Sequence, residues 1–295
     1  MSPIIPRKMD TFRTFYDFSE LKAYLQNERA GQSIGLVPTM GALHEGHLSL
    51  VKKANVENDV VVVTIFVNPK QFNNQTDLKK YPRTIEKDLK LLSEFKNVLI
   101  CTPNEGAVYP KNDPYNPVDL GRLNEVLEGK YRPGHFDGVA HVVHNFFHFI
   151  QPNRAYFGLK DYQQFAVIKK MTRQSSLKVE LVGCETIRNK SGLALSSRNQ
   201  HLNNKELEDT LVIINTLNFI KENQRKYNVV ELKENAIAHF KKSPLVLEYL
   251  EIVDSESFEK LDRIGPNSVC CIAAYCGEVR LIDNIALQED NLKSR

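Results

Sequence analysis

The sequence predicts an α/β fold: a parallel sheet flanked by helices, followed by a smaller α+β domain. Three observations carry that expectation. Residues 59–67 (D-V-V-V-V-T-I-F-V) form an unbroken β-branched run, the pattern of a strand covered on both faces. Upstream, an apolar run at 34–37 and an amphipathic stretch opening at His44 complete a strand–helix–strand unit, which implies parallel strands. Beyond Leu202 the alternation gives way to charged amphipathic segments and then to strand-like runs.

Taken in order, residues 1–11 read as a loose leader and 12–27 as a first helix. The run 34–37 stops at Pro38, which has no N–H to give a sheet ladder. Gly41 lies in the short turn that follows. From His44 onward Leu48, Val51 and Ala54 fall on one helical side, Lys52 and Lys53 on another, and the pattern fades by Asn58. Residues 68–72 begin the loop at the C-terminal end of the 59–67 strand, the edge where ligands bind in open α/β sheets. A helix over 84–94 and a strand at 98–101 continue the alternation. Residues 104–119, rich in Pro, Asn and Tyr, are expected to be a long surface excursion. A turn-rich stretch at 132–138 precedes a helix over 139–150. Residues 154–157, 158–161 and 162–174 then repeat strand, loop and helix, and 179–182 is the last strand of the domain. Residues 205–227 and 230–242 read as helices, 245–253 and 269–274 as strands, and Gly277-Glu278 as a hairpin turn before 279–282. The expected division is 1–187 and 188–295, with a polar, frayed end at 288–295.

The totals bound the class. A chain of 295 residues with 42% hydrophobic and 25% charged residues has ample room for a buried core and the balance of an ordinary globular protein. A net charge of +3 gives no reason to expect nucleic acid or a membrane surface as partner. No apolar run approaches membrane-span length. The five cysteines, Cys101, Cys184, Cys270, Cys271 and Cys276, form no C-x-x-C pair and sit in apolar settings. They are expected to be buried thiols in a reducing cytoplasm.

Function concentrates at 35–50, G-L-V-P-T-M-G-A-L-H-E-G-H-L-S-L. Strand, glycine-bearing turn and helix N-terminus is the layout of a phosphate site, where free N–H groups and the positive helix end attract an anion. His44 and His47 stand three apart at that end and can face the same way. Neither the G-x-G-x-x-G nor the P-loop pattern is present, so imidazole plus backbone would bind the phosphate. Three more polar loops follow strand-like runs: Asn68-Pro69-Lys70-Gln71-Phe72, then residues 157–164 (F-G-L-K-D-Y-Q-Q), then residues 192–199 (G-L-A-L-S-S-R-N). In the last, two hydroxyls and a guanidinium suit a triphosphate.

The H-x-G-H form resembles the signature of the adenylyl-transferring superfamily that includes nucleotidyltransferases and class I aminoacyl-tRNA synthetases. The longer P-T-M-G-A-L-H-E-G-H is similar to the pantoate–β-alanine ligase family, and the four motifs in order extend the resemblance over about residues 12–287. It implies a Rossmann-like ATP- and pantoate-binding domain and a C-terminal domain that carries the Ser-Ser-Arg loop at its start. It also implies ATP contacts from Met40, Gly41, Ala42, Leu43, His44, Glu45, Gly46 and His47. Further ATP contacts would come from Gly158, Leu159, Lys160 and Asp161, from the backbone of Ile187, and from Leu195, Ser196, Ser197 and Arg198. Gln71, with Asn68 beside it, and Gln164 would hold substrate. Leu159 stands where the family has a glutamate or another polar residue, so any contact there must come from backbone.

The reaction so implied joins pantoate to β-alanine, splitting ATP to AMP and pyrophosphate through an acyl adenylate. A carboxylate with a pKa near roughly 4 is already ionised at neutral pH and needs no general base. The demand is charge handling, which falls on His44, His47, Lys160, Arg198 and Mg²⁺. Asp88 is the one candidate metal ligand on the protein. No covalent intermediate is needed, in keeping with the absence of a recognisable nucleophile triad. The resemblance further implies a homodimer. Competing readings are a nucleotidyltransferase with a phosphorylated acceptor, an RNA-binding synthetase-like protein and a non-catalytic nucleotide binder. The first calls for more Lys or Arg near Gln71, and the second for a basic or aromatic C-terminal domain, whereas 205–285 mixes acids and bases throughout. The third is disfavoured by the joint presence of His44, His47, Lys160 and Arg198.

Overall fold

The computed structural model describes residues 13–287. The expected leader at 1–11 and the expected frayed end at 288–295 lie outside them. The chain divides into two units, one of residues 13–118, 137–157 and 171–184, the other of 119–136, 158–170 and 185–287. Two excursions from before residue 185, 119–136 and 158–170, thus belong to the second unit.

In chain order the elements are β1 (Arg13–Phe15), α1 (Phe18–Glu28), β2 (Ile34–Thr39), α2 (Glu45–Glu57) and β3 (Val60–Ile65). There follow α3 (Gln75–Lys80), α4 (Ile85–Leu92), β4 (Val98–Cys101), α5 (Glu105–Val108), α6 (Leu127–Tyr131) and α7 (His135–Ile150). Then come β5 (Arg154–Gly158), α8 (Tyr162–Gln174), β6 (Glu180–Cys184), α9 (Asn204–Asp209), α10 (Leu211–Asn223) and α11 (Val229–Phe240). Strands β7 (Val246–Asp254), β8 (Ser268–Cys276) and β9 (Val279–Leu287) complete the described chain.

The first unit is built on a six-stranded sheet of order β1-β4-β3-β2-β5-β6, and the pairs β1–β4, β4–β3, β3–β2 and β2–β5 all run parallel. From β2 the chain moves to β3 on one side and later returns to β5 on the other. This reversal makes the C-terminal end of β2 the switch point where such sheets bind ligands. Val60, Val61, Val62 and Val63 of β3 are fully buried, as expected for a covered strand, and α2 packs Val51 and Ala54 against Val37, Val61 and Val63. Each such valine contributes about 1.5–3 kcal/mol relative to exposure.

Three expectations are corrected. Residues 13–15 pair with β4, and the first helix starts only at Phe18, because Asp17 caps it by accepting the N–H of Ser19 at 2.6 Å. Pro38 does not end β2. Ser33 and Thr39 turn their carbonyls to the β3 side, accepting from Val60 and Phe66, while Ile34 accepts from Asn153 on the β5 side. Alternation puts the Pro38 nitrogen on the β5 side, beyond the Gly35–Arg154 and Leu36–Ala155 pairs, where it interrupts no ladder bond. The helix expected over 205–227 is two helices, α9 and α10, meeting at Thr210, whose hydroxyl donates to the Leu207 carbonyl at 2.7 Å.

The second unit has an antiparallel sheet of order β7-β8-β9, with α10 and α11 packing Leu217, Ile220, Leu232 and Phe240 on Ile272 and Leu281. The excursion bearing α6 is tied to this sheet by charge. Arg280 on β9 forks onto both Glu128 oxygens at 2.6 and 2.8 Å and also reaches Glu248, while the Tyr249 hydroxyl donates to Glu128 at 2.8 Å. Burial opposes ionisation of Glu128, but the hydrogen bonds and charge of Arg280, with Arg132 and Tyr249, hold its carboxyl down at about 2. All five thiols are free and buried, and burial raises their pKa values, Cys101 to about 12.

Glu128 gives the fold a defined acid response. Its folded-state pKa lies below the ordinary 4.5, so its stabilisation is complete above that value and drains away as pH falls toward about 2. Glu128→Gln should therefore cost about 3 kcal/mol or more at neutral pH, as expected for breaking a buried pair. In urea titrations across pH, its deficit against the unsubstituted protein should shrink on acidification. A deficit that stayed constant down to the lower limit would contradict the assignment.

Candidate active site

The C-terminal end of β2 is shaped by a short chain of hydrogen bonds. The Thr39 hydroxyl donates to the Thr64 carbonyl of β3 at 2.8 Å and accepts the Gly41 N–H at 3.2 Å. Gly41 and Ala42 both take positive φ, 80° and 50°. That is natural for glycine and costly for alanine. The turn is held by Asp88 of α4, fully buried, whose two oxygens accept the N–H groups of Ala42 at 3.0 Å and Leu43 at 2.8 Å. The Thr84 hydroxyl also donates to Asp88 at 3.2 Å. Asp88, a metal-ligand candidate on sequence, is thus a backbone clamp with both oxygens committed. Among the described residues no group of three or more His, Cys, Asp or Glu side chains is placed to hold a metal ion.

The clamped turn delivers the two histidines. His44 is the N-cap of α2: its Nδ1 accepts the Gly46 N–H at 3.1 Å, and the Nδ1 of His47 accepts the His44 N–H at 3.3 Å. Two imidazoles thus perform the reciprocal capping usually done by Ser or Thr with Glu. The chemical consequence is a fixed tautomer. A ring nitrogen that accepts an amide N–H carries no proton, so each neutral imidazole bears its proton on Nε2 and offers it as a donor. The rings lie 4.1 Å apart, and the same helix end supplies the positive pole of its dipole.

The loop after β3 stands beside this turn. Gln71, buried, donates from Nε2 to the Met40 sulfur at 3.0 Å and accepts from Asn68 Nδ2 at 3.2 Å. Asn68 is 1% exposed and is enclosed among Tyr109, the Lys70 N–H and the Gly138 carbonyl. Met40, the Gly41–Leu43 turn, His44, His47, Asn68 and Gln71 are therefore brought together within the first unit.

The remaining candidates belong to the second unit. Gly158 to Asp161 form the end of β5 and a single 3₁₀ turn, and Asn284 of β9 donates to the carbonyls of Leu159 at 2.9 Å and Lys160 at 2.8 Å. The Lys160 ammonium lies 3.7 Å from Asp161. The two glutamines that follow separate in role. Gln163 is buried and spends its amide on Leu123, Val126 and Glu128 backbone, whereas Gln164 lines a recess with Glu128, Arg132, Lys160, Tyr249 and Asn284. Ile187 uses its carbonyl to accept the Leu195 N–H at 2.9 Å, and Ser196 caps the 3₁₀ turn that holds Ser197 and Arg198. Arg188 braces this loop, forking onto Asp283 at 2.5 and 2.9 Å. Sequence reasoning missed Arg188, Asp283, Asn284, Glu128 and Arg280. Their partners lie far along the chain, and no local pattern marks them.

The whole described chain has known relatives. A family model described as pantoate-beta-alanine ligase matches residues 13–286. A pantothenate synthetase of Bacteroides thetaiotaomicron is 44% identical over 281 residues, covering 94% of this chain and 99% of the relative. A crystal structure of pantothenate synthetase from Thermus thermophilus superposes with a TM-score of 0.88 at 39% identity, covering 94% of this chain and all of that one. A pantoate-beta-alanine ligase from Francisella tularensis, solved with beta-gamma ATP and beta-alanine, gives a TM-score of 0.77 at 35% identity over 93% of this chain and 97% of its own. The chain belongs to the pantoate–β-alanine ligase family.

Because each histidine caps α2 through Nδ1, neither is a bystander in the fold. His44→Ala should lower stability by about 1 kcal/mol, whereas His44→Asn, whose side-chain oxygen can accept the Gly46 N–H, should recover most of it. Thermal melts of the two variants test this; equal losses would contradict a capping role.

Proposed function

We propose that the chain condenses pantoate with β-alanine, consuming ATP and releasing pantothenate, AMP and pyrophosphate through a pantoyl-adenylate intermediate. The observation that carries this reading is the capped histidine pair, two fixed Nε2–H donors at a helix N-terminus directly after β2. Family membership supports the overall reaction, and the ligands bound in the Francisella enzyme support ATP and β-alanine as substrates.

In the first half, a pantoate carboxylate oxygen attacks the α-phosphorus of ATP and the bond to pyrophosphate breaks. Charge gathers on the departing oxygens, and the two Nε2–H groups, the helix end, Lys160 and Arg198 stabilise it. His47 can donate its proton or a hydrogen bond to a phosphate oxygen, a contribution of roughly 10²–10⁴ in rate. In the second half, the neutral amine of β-alanine attacks the acyl carbon, AMP leaves with its bonding pair, and the surplus proton on nitrogen is released to water. The buried thiols take no part, since no step needs a thiolate. Mg²⁺ would enter bound to the phosphates of ATP; Asp88, fully buried and engaged by the Ala42 and Leu43 N–H groups and the Thr84 hydroxyl, has no part in this reading. Gln71 and Gln164 would bind the hydroxy acid, their amides suiting two hydroxyls and a carboxylate. Met40, Gly41–Leu43, Gly158–Asp161, Ile187 and Leu195–Arg198 would bind ATP. A homodimer in the cytoplasm is part of the same reading.

ATP–pyrophosphate exchange without amine is the direct test. Exchange should require pantoate and should nearly vanish in His47→Ala and His44→Ala; exchange with no acid present, or none with pantoate, would overturn the reading. In separate titrations, Gln71→Ala and Gln164→Ala should each weaken pantoate roughly ten- to a hundred-fold with little change for ATP. Lys160→Ala and Arg198→Ala should do the reverse. Glutamine variants that lost ATP and kept pantoate would invert the pocket.

A further inference from the structure

On sequence Asn68 stands among the expected substrate contacts, yet its amide has nothing left to offer a substrate. Its oxygen accepts the Tyr109 O–H at 2.6 Å and the Lys70 backbone N–H at 3.2 Å. Its NH₂ donates to the Gly138 carbonyl at 3.1 Å and to Gln71 Oε1 at 3.2 Å. These four bonds exhaust two lone pairs and two N–H groups. The orientation of the amide is also forced. A backbone N–H can only donate and a backbone carbonyl can only accept, so Lys70 and Gly138 decide which end of Asn68 is which. With the Asn68 NH₂ aimed at Gln71, the Gln71 oxygen must face Asn68, and the Gln71 NH₂ must lie on the opposite side, toward Met40.

We propose that Asn68 and Tyr109 are positioning residues for the condensation, which lock Gln71 with its NH₂ as the group presented to the hydroxy acid. This rests on the reading that Gln71 meets pantoate. The chemistry favours it, since a carboxylate or a hydroxyl oxygen accepts from an NH₂ and an anion is repelled by an amide oxygen. Tyr109 is suited to the task. Its ring is fixed by the Lys70 ammonium, 3.7 Å from the centroid, and by edge contacts to Phe66 and His141 at 6.3 and 4.6 Å. Burial raises the phenol pKa well beyond physiological pH, so the hydroxyl stays a donor. Close packing completes the lock: a Cβ on Gly138 would lie 2.3 Å from the Lys70 carbonyl, so only glycine lets the two backbones approach closely enough for the Asn68 bond.

Two conservative variants test the proposal. Tyr109→Phe keeps the ring and removes the O–H; Asn68→Asp keeps the shape but offers only acceptors, so Gln71 turns its NH₂ toward residue 68 and its oxygen toward substrate. Tyr109→Phe should raise KM for pantoate roughly three- to tenfold, and Asn68→Asp by more, with KM for ATP within about twofold. The decisive readout is a double-mutant cycle: in a Gln71→Ala background neither change should weaken pantoate further, because both act through Gln71. A loss that adds in full to that of Gln71→Ala, or no loss in either single variant, would overturn the proposal. Gln71→Ala alone separates the two readings. If it leaves pantoate affinity intact, the assignment of Gln71 to substrate has failed; if it weakens pantoate and the cycle is additive, only the positioning role has failed.

Discussion

The site depends on one buried carboxylate. Asp88 is fully enclosed, and a buried carboxyl group requires hydrogen-bond partners. The turn after β2 leaves N–H groups that require acceptors, and Ala42 within it takes a left-handed conformation that costs about 1–2 kcal/mol and persists because the surroundings hold it. Each satisfies the other through the N–H groups of Ala42 and Leu43. Gly41 takes part by its lack of a side chain, for a Cβ there would press on Asp88 and Ile65 at 3.1 Å. The direction in which the chain leaves β2, and hence where His44 begins α2, follows from this clamp.

Capping by histidine is a poor choice on stability grounds alone. Asp, Asn or Ser would cap as well or better, and an aspartate would also complement the helix dipole. A carboxylate at that end would repel the triphosphate proposed to bind there, however, and a serine reaches less far. Imidazole accepts with one nitrogen and donates with the other. The same residue therefore satisfies an orphan amide of the helix through Nδ1 and keeps its proton on Nε2. The arrangement also explains why the histidines are three apart, since Ncap and N3 are the positions that cap reciprocally.

Much of this was legible in the sequence. The valine run of β3, the strand at β4 and the bounds of α8 follow from periodicity and β-branching, and the H-E-G-H helix start follows from the turn before it. Residues whose meaning depends on distant partners were not legible. Asp88 looks like any acid in an amphipathic helix until Ala42 and Leu43, 46 and 45 positions away, are brought to it. Asn68 reads as a polar loop residue that could face substrate, and two of the four bonds that consume its amide come from Tyr109, 41 residues on, and Gly138, 70 residues on. Pro38 reads as a strand end because the sequence does not reveal which side of β2 lacks a ladder at that point.

The departure at Leu159 has a physical account in the second unit. The Leu159 side chain cannot hydrogen-bond, and the loop keeps its shape by other means. Asn284 donates both amide protons to the carbonyls of residues 159 and 160, so the backbone path through Lys160 does not depend on the side chain at 159. The preceding residue on β9, Asp283, is nearly buried and forks onto Arg188, which in turn donates to the Gly192 carbonyl within the loop leading to Ser196 and Arg198. Two consecutive residues on one strand therefore anchor both proposed ATP loops of this unit, one through an amide and one through an ion pair. The backbone path of this loop is thus held from β9 through the carbonyls of residues 159 and 160, which any side chain at 159 would leave in place.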